Sequence, residues 1–162
     1  MSLSLPKIII DRIISEARKR GISPEELVSE ILLNELFRDP NDRLRVYIEL
    51  HKKYVREAEK KIEEKDFIQA SEKIWGAAAS IVKAAALVLL RKRLSSHGEM
   101  WEFVSKLADK YNDNELRHLW RTAISMHINF YENWAPPEEV KKSLDDIKKF
   151  AEKIMKYANL RL

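Results

Sequence analysis

The stretch Glu57–Leu90, EAEKKIEEKDFIQASEKIWGAAASIVKAAALVLL, decides the fold of this 162-residue chain. It predicts two long helices that fold back on each other at a short acidic break near Lys65 and Asp66. Small side chains let neighbouring helix axes approach closely, so we predict that the second helix lies at the centre of an antiparallel helical bundle. Its small residues are Gly76, Ala77, Ala78, Ala79, Ser80, Ala84, Ala85 and Ala86.

Helix start and stop signals extend this pattern in both directions. The helix before the break runs from about Asp42 to Glu64, and the Ala-rich helix runs from Asp66 to near Arg93. Because the connections are short, we predict an all-α, up-and-down bundle over residues 39–162. Three further helix starts carry a capping box or a proline: Ser96–Glu99, Asn112–Glu115 and Pro136–Glu139.

Residues 1–38 are predicted to form a separate N-terminal unit. The alternating segment MSLSL at residues 1–5 predicts a very short strand. A helix follows Pro6 and closes at Gly21, and the segment Ser23–Glu26 starts a second helix with a cap and a first-position proline. The unit is therefore expected to be a small helical hairpin that precedes the bundle.

The composition favours long, salt-bridged helices. Charged residues make up 35% of the chain and hydrophobic residues 45%, with 3 Gly, 5 Pro and no Cys. The lack of Cys excludes disulfides and thiolate metal sites and fits a reducing cytoplasm. The Lys and Glu content resembles that of proteins from hot environments. A net charge of +4 is small for a protein that coats nucleic acid.

Four segments, taken in order, carry a family resemblance: AEKKIEEKDFIQASEKIWGAAASIVKAAALVLL at 58–90, HGEMWEFVSKLADK at 97–110, RHLWRTAISMHINFYENW at 117–134 and PPEEV at 136–140. Together they resemble the archaeal PaREP family, which belongs with the HEPN superfamily of helical bundles. The resemblance covers about Asp42–Lys156. It implies one of several roles, because some HEPN domains are metal-independent ribonucleases with an Arg-x4–6-His motif across a homodimer. Others are inactive partners of a minimal nucleotidyltransferase, or toxin and antitoxin components.

Arg121 and His127 match the Arg-x4–6-His spacing, with five residues between them. In metal-free RNA cleavage the histidine would transfer a proton, and the arginine would stabilise the charge that develops on the phosphate. Further phosphate contacts would come from other basic residues: Arg117, His118, Arg91, Lys92 and Arg93.

A structural interpretation of this pair stays open and is favoured. On an ideal helix His127 lies on the apolar stripe with Leu116 and Trp120. Arg121 lies about 120° away around the axis and about 9 Å along it, so the two would cooperate only through a distortion or a second copy. In addition, Thr122 stands where HEPN ribonucleases usually have Asn, Asp or His.

The remaining candidates also have structural interpretations. Residues 91–93 complement the dipole at the end of their helix, and Lys83 is expected to reach the surface. The 17-residue apolar run around Lys83 is too short and too charged for a membrane span. His51 and His97 lack metal-ligand spacing, so we predict no metal site and no cofactor. Four tryptophans are expected to form core or dimer contacts instead of a base-stacking surface: Trp75, Trp101, Trp120 and Trp134.

Residues 2–36, SLSLPKIIIDRIISEARKRGISPEELVSEILLNEL, resemble the strand–helix–helix order of ribbon-helix-helix DNA-binding proteins. Such proteins dimerise through the strand and read the major groove with its outward side chains, which here would be Ser2 and Ser4. Residues 1–38 carry six basic and six acidic side chains, whereas DNA binding relies on phosphate neutralisation. A dimerisation arm or a plain helical hairpin is therefore expected.

Three functions stay open, and the first is favoured. The chain is a non-catalytic interaction module with a protein partner, in a toxin–antitoxin or nucleotidyltransferase-associated system. Alternatively, it is a metal-independent ribonuclease that uses Arg121 and His127 on RNA, or a DNA-binding regulator that acts through residues 1–38. In each case we expect a cytoplasmic homodimer that does not associate with a membrane.

Overall fold

The structure, a computed structural model, describes residues 2–161, and these residues form seven α-helices and no strand. The predicted all-α class is confirmed. The short strand was predicted over residues 1–5. Residues 2–5 lie outside any regular element, so the strand is not found there, and Met1 lies outside the described residues. A strand needs a partner for its backbone groups, and the described part of the chain supplies none. The helices are α1 Lys7–Arg20, α2 Pro24–Leu36, α3 Pro40–Glu63, α4 Phe67–Leu90, α5 His97–Lys110, α6 Asn114–Glu132 and α7 Pro137–Ala158.

The chain divides into two compact units after Arg43. In the first unit α1 packs against α2. Gly21 ends α1 in the left-handed conformation at φ 64°, which a glycine adopts without strain. Ser23 Oγ then accepts the Glu26 backbone N–H at 3.0 Å and starts α2, with Pro24 at the first helical position. The capping residues therefore close the hairpin with a short, defined turn.

The second unit is a bundle built around α4. Fifteen of the 24 residues of α4 are buried, and α5, α6 and α7 all pack against it. Among residues 2–161 α4 is the one helix long and apolar enough to cross a membrane by composition, and 72% of its most apolar window is buried in the protein. Every residue from Ala77 to Leu87 is buried, including Lys83, which is only 6% exposed. The expectation that Lys83 reaches the surface was wrong, because neighbouring side chains cover α4 on all sides here.

Helix α3 contacts α4 at Gly76 through large side chains. The Tyr54 ring of α3 covers this glycine, and a Cβ placed on Gly76 would lie 3.0 Å from Tyr54 Cδ2. One turn earlier on α3, His51 Nδ1 donates to the Ala77 carbonyl at 2.9 Å. Burial lowers the pKa of His51 and favours the neutral imidazole, an effect that the bond to Ala77 opposes only in part. The absence of a side chain at Gly76 thus leaves room for the Tyr54 ring between α3 and α4.

Helix α4 ends at Leu90, three residues before the predicted end. Arg91 is the C-cap in the left-handed conformation at φ 55°, and Lys92 and Arg93 follow outside the helix. Because these residues lie at or beyond the last turn, they still lie near the negative end of the helix dipole.

Candidate functional site

Helix α6 carries most of the candidate residues, and two caps fix its ends. Asp113 Oδ1 accepts the Leu116 backbone N–H at 3.2 Å and starts the helix. Asn133 ends it in the left-handed conformation at φ 50°. Between these caps α6 is a continuous helix of 19 residues that packs on α4, α5 and α7. The positions of its side chains therefore follow regular helical spacing.

Arg121 and His127 lie on different sides of α6. Arg121 is exposed and lines a cleft between α6 and α7. His127 is half-buried and packs against the Trp75 ring of α4, with 4.7 Å between ring centroids. Within one chain the structure therefore does not bring the two side chains to a common site.

His127 belongs to a cluster of rings from three helices. The His97 ring, at the start of α5, lies edge-on to His127 with centroids 4.8 Å apart. His97 and Trp120 each also contact Trp75, at 5.2 and 5.4 Å. Such aromatic pairs stabilise a core by about 0.5–1.5 kcal/mol each. The pairing of His97 with His127 is not predicted by the sequence, because no local pattern relates residues 30 positions apart.

Arg117 binds to the neighbouring helix. Its Nη2 donates to Asp109 at 2.6 Å and to the Ser105 carbonyl at 3.2 Å, which fastens α6 to α5. His118, the next residue, is exposed and lines the α6–α7 cleft with Arg121. The two residues of α6 that were predicted to contact phosphate therefore lie in different environments. His118 lines the cleft, whereas Arg117 joins α6 to α5.

The basic residues after α4 are near the start of α5. Lys92 pairs with Glu99 at 3.0 Å. Glu99 completes the capping box of α5 with Ser96, and its carboxylate accepts the Ser95 backbone N–H at 2.8 Å. These bonds, that of Ser95 first and that of Lys92 second, lower the pKa of Glu99 to about 2. Lys92 therefore supports a helix cap, and Arg91 is exposed beside it.

The α6–α7 cleft has a volume of about 260 Å³. Thr122 Oγ1 of α6 donates across the cleft to Asp146 of α7 at 3.3 Å, and along α7 Lys142 lies 3.9 Å from Glu139. Among residues 2–161 no group of three or more His, Asp or Glu side chains could hold a metal ion. The residues that line the cleft are His118, Arg121, Thr122, Ser125, Met126, Trp134, Glu139, Lys142, Ser143 and Asp146.

The N-terminal hairpin exposes an unusual number of large apolar side chains. An open groove of about 940 Å³ runs along α1 and α2, with Leu27 and Ile13 among its lining residues. We call the exposed apolar residues of α1 and α2 the hairpin surface. They are Ile8 at 79% exposure, Ile9 at 43%, Ile10 and Ile14 at 42%, Ile31 at 48%, Leu32 at 45% and Leu36 at 68%.

Comparison with known proteins gives one assignment. The family model described as the archaeal PaREP1/PaREP8 family matches residues 46–151. A search of curated proteins finds no match to the chain. The matched region spans most of α3, all of α4, α5 and α6, and two thirds of α7, and it contains both Arg121 and His127.

Proposed function

The chain belongs to the archaeal PaREP1/PaREP8 family, and we propose that it is a non-catalytic interaction module that forms a homodimer through the hairpin surface. The observation that carries this proposal is the exposure of Ile8, Ile9 and Ile10 on α1. These three side chains point in directions about 100° apart around the helix. Helix α2 covers only one side of α1, and a helix that is apolar on several sides requires a further partner.

A second copy of the chain is the proposed partner because the hairpin is electrically balanced. Residues 1–38 carry six basic and six acidic side chains, so two copies would meet without net repulsion. Part of the charge is already paired within α1, where Arg20 lies 2.8 Å from Glu16. An interface with an apolar core and a polar rim is typical of homodimers.

The bundle is proposed to be HEPN-like and the hairpin to act as a dimerisation arm without DNA binding. The Ala-rich α4, capped by Asp66 after a short break, supports the first part. The non-catalytic role is supported by the packing of the half-buried His127 against the Trp75 ring. Composition supports a cytoplasmic protein from a hot environment.

The test is the molecular mass in solution at micromolar concentration, by sedimentation or light scattering. The wild-type protein should have twice the 19.1 kDa mass of the chain. Ile10→Glu should give a monomer, because a carboxylate at the hairpin surface would be buried without a partner. Ile128→Glu is the matched control, since Ile128 is also 42% exposed but lies on α6 in the bundle. This control should remain a dimer.

Two results would overturn the proposal. A monomeric wild-type protein would exclude self-association, and the hairpin surface would then serve another protein. A dimer that survives Ile10→Glu and dissociates with Ile128→Glu would assign the interface to the bundle. Incubation with mixed RNA in EDTA addresses the catalytic alternative: we expect no cleavage, and cleavage that Arg121→Ala abolishes would make the protein a ribonuclease.

A further inference from the structure

The α6–α7 cleft presents basic side chains from both of its helices. Arg121 and His118 lie one turn apart on the face of α6 that lines the cleft. Within residues 2–161 neither the Arg121 guanidinium nor the His118 imidazole has a hydrogen bond or an ion pair, whereas the neighbouring Arg117 is fully engaged. Lys142 of α7 lines the opposite wall, and its contact with Glu139 is long, at 3.9 Å.

The end of the cleft is held rigidly by a buried asparagine. Asn129 is 1% exposed, and its Oδ1 accepts the backbone N–H groups of Trp134 and Ala135 at 2.8 and 2.7 Å. Its Nδ2 donates to Ser71 Oγ of α4 at 2.8 Å. This network fixes the turn between α6 and α7, and so fixes the backbone of Trp134. The Trp134 side chain lines the cleft and is 52% exposed.

We propose that this cleft binds a nucleotide, with the basic side chains contacting its phosphate group. Arg121 is suited to the phosphate because its planar guanidinium donates two parallel hydrogen bonds, and Lys142 and His118 add donors. The exposed Trp134 ring offers a stacking surface for the base. Asp146 and Glu139 provide acceptors for sugar hydroxyl or base amino groups, although Asp146 already accepts from Thr122. A phosphate alone would leave the ring and both carboxylates unused, so the cleft favours the whole nucleotide.

The size of the cleft supports this ligand class. Its volume of about 260 Å³ is just below the range of about 300–1,000 Å³ typical of small-molecule sites. One nucleotide, free or as a unit of single-stranded RNA, is of this scale, and a dinucleotide cofactor is too large. This site differs from the Arg121–His127 pair, because Arg121 acts here with His118. It is also independent of the hairpin surface, since none of its residues belongs to α1 or α2.

Titration calorimetry on the 162-residue protein tests the proposal with four probes: AMP, inorganic phosphate, adenosine and a short single-stranded oligo(A) RNA. AMP should bind about tenfold or more tightly than either adenosine or inorganic phosphate, because each lacks part of the contacts. Arg121→Ala and Lys142→Ala should each weaken AMP binding by about tenfold or more. Binding should also weaken as salt is added.

Two substitutions serve as matched controls. Arg56→Ala removes an exposed arginine of α3, and Lys141→Ala removes the neighbour of Lys142 that does not line the cleft. Both should bind AMP as the wild type does. Tighter binding of oligo(A) than of AMP would assign the site to RNA, and equal binding would assign it to free nucleotides. No AMP binding by the wild type, or unchanged binding by Arg121→Ala, would overturn the proposal.

Discussion

His127 lies among aromatic rings from three helices. Its imidazole lies against Trp75 and His97 and edge-on to Tyr131 at 5.4 Å. Arg121, six residues earlier, is exposed on another side of the helix. Two residues that match one sequence motif thus occupy different environments, because one helix cannot present both to the same point.

We therefore predict that His127→Ala destabilises the protein. The loss of a half-buried ring with several aromatic neighbours should reduce the free energy of unfolding by about 1–3 kcal/mol. Arg121→Ala, the matched change at an exposed position, should stay within about 0.5 kcal/mol of the wild type. Urea unfolding followed by circular dichroism measures both. Equal stability of all three proteins would show that the ring cluster does not support the fold.

At the scale of elements, α4 determines how closely the other helices pack. Its Gly76 lies under the Tyr54 ring, which is 6% exposed and has Lys73 Nζ 5.3 Å from its centroid. Because the ring is enclosed, it cannot move aside without disturbing the α3–α4 contact. The absence of a side chain at this position is thus required by the neighbouring helix.

Gly76→Ala is accordingly predicted to destabilise the bundle. Alanine favours a helix over glycine by about 1 kcal/mol, but overpacking against a buried ring costs about 1–3 kcal/mol. We expect a net loss on the order of 1 kcal/mol in the free energy of unfolding. Gly98→Ala is the control, because the nearest atom to its added Cβ is Ser96 Oγ at 3.9 Å. If Gly76→Ala proved as stable as Gly98→Ala, the proposed close packing would be contradicted.

Across the whole molecule, ionised carboxylates join elements that lie far apart in the sequence. Asp113, between α5 and α6, accepts Lys153 Nζ at 2.8 Å and Tyr157 Oη at 2.6 Å from α7. Burial acts to raise the pKa of Asp113, but the bonds from Lys153, Tyr157 and the Leu116 N–H outweigh it and lower the pKa. Other carboxyls have lowered pKa values as well: Glu16, Glu64, Glu99, Glu102, Glu115 and Glu138.

These shifts predict a protein that loses stability in acid. A carboxyl whose pKa is lower in the folded state stabilises the fold above its unfolded pKa, and this contribution is lost as the pH falls through the folded value. The free energy of unfolding should therefore decrease once the pH drops under about 4. Asp113→Asn should be less stable than the wild type by about 1–2 kcal/mol at pH 7.

The difference between wild type and Asp113→Asn should narrow as the pH is lowered, because Asp113 itself becomes protonated. Urea unfolding at pH 7, 4 and 3 measures this convergence. A constant difference across this range would mean that the charge of Asp113 contributes nothing, and that the substitution acts only through its shape.

The sequence by itself determined the helices, because their signals are local. The small residues of α4 and the caps at Ser23, Asp66 and Ser96 act within a few positions of each helix end, so the all-α class and most helix bounds followed from spacing. The end of α4 was misplaced by three residues, since Arg91 adopts a left-handed conformation that its residue type does not favour.

The tertiary structure alone decided which side chains meet. Contacts such as His97 with His127, or Asn129 with Ser71 across 58 residues, depend on how helices pack and leave no mark on local periodicity. The same holds for the α6–α7 cleft, where His118, Arg121 and Trp134 line one cavity with Lys142. Trp134 was expected in a core or dimer contact, and only packing shows that it borders this cleft. Helix formation is a local equilibrium, whereas a site requires side chains from several helices at one place.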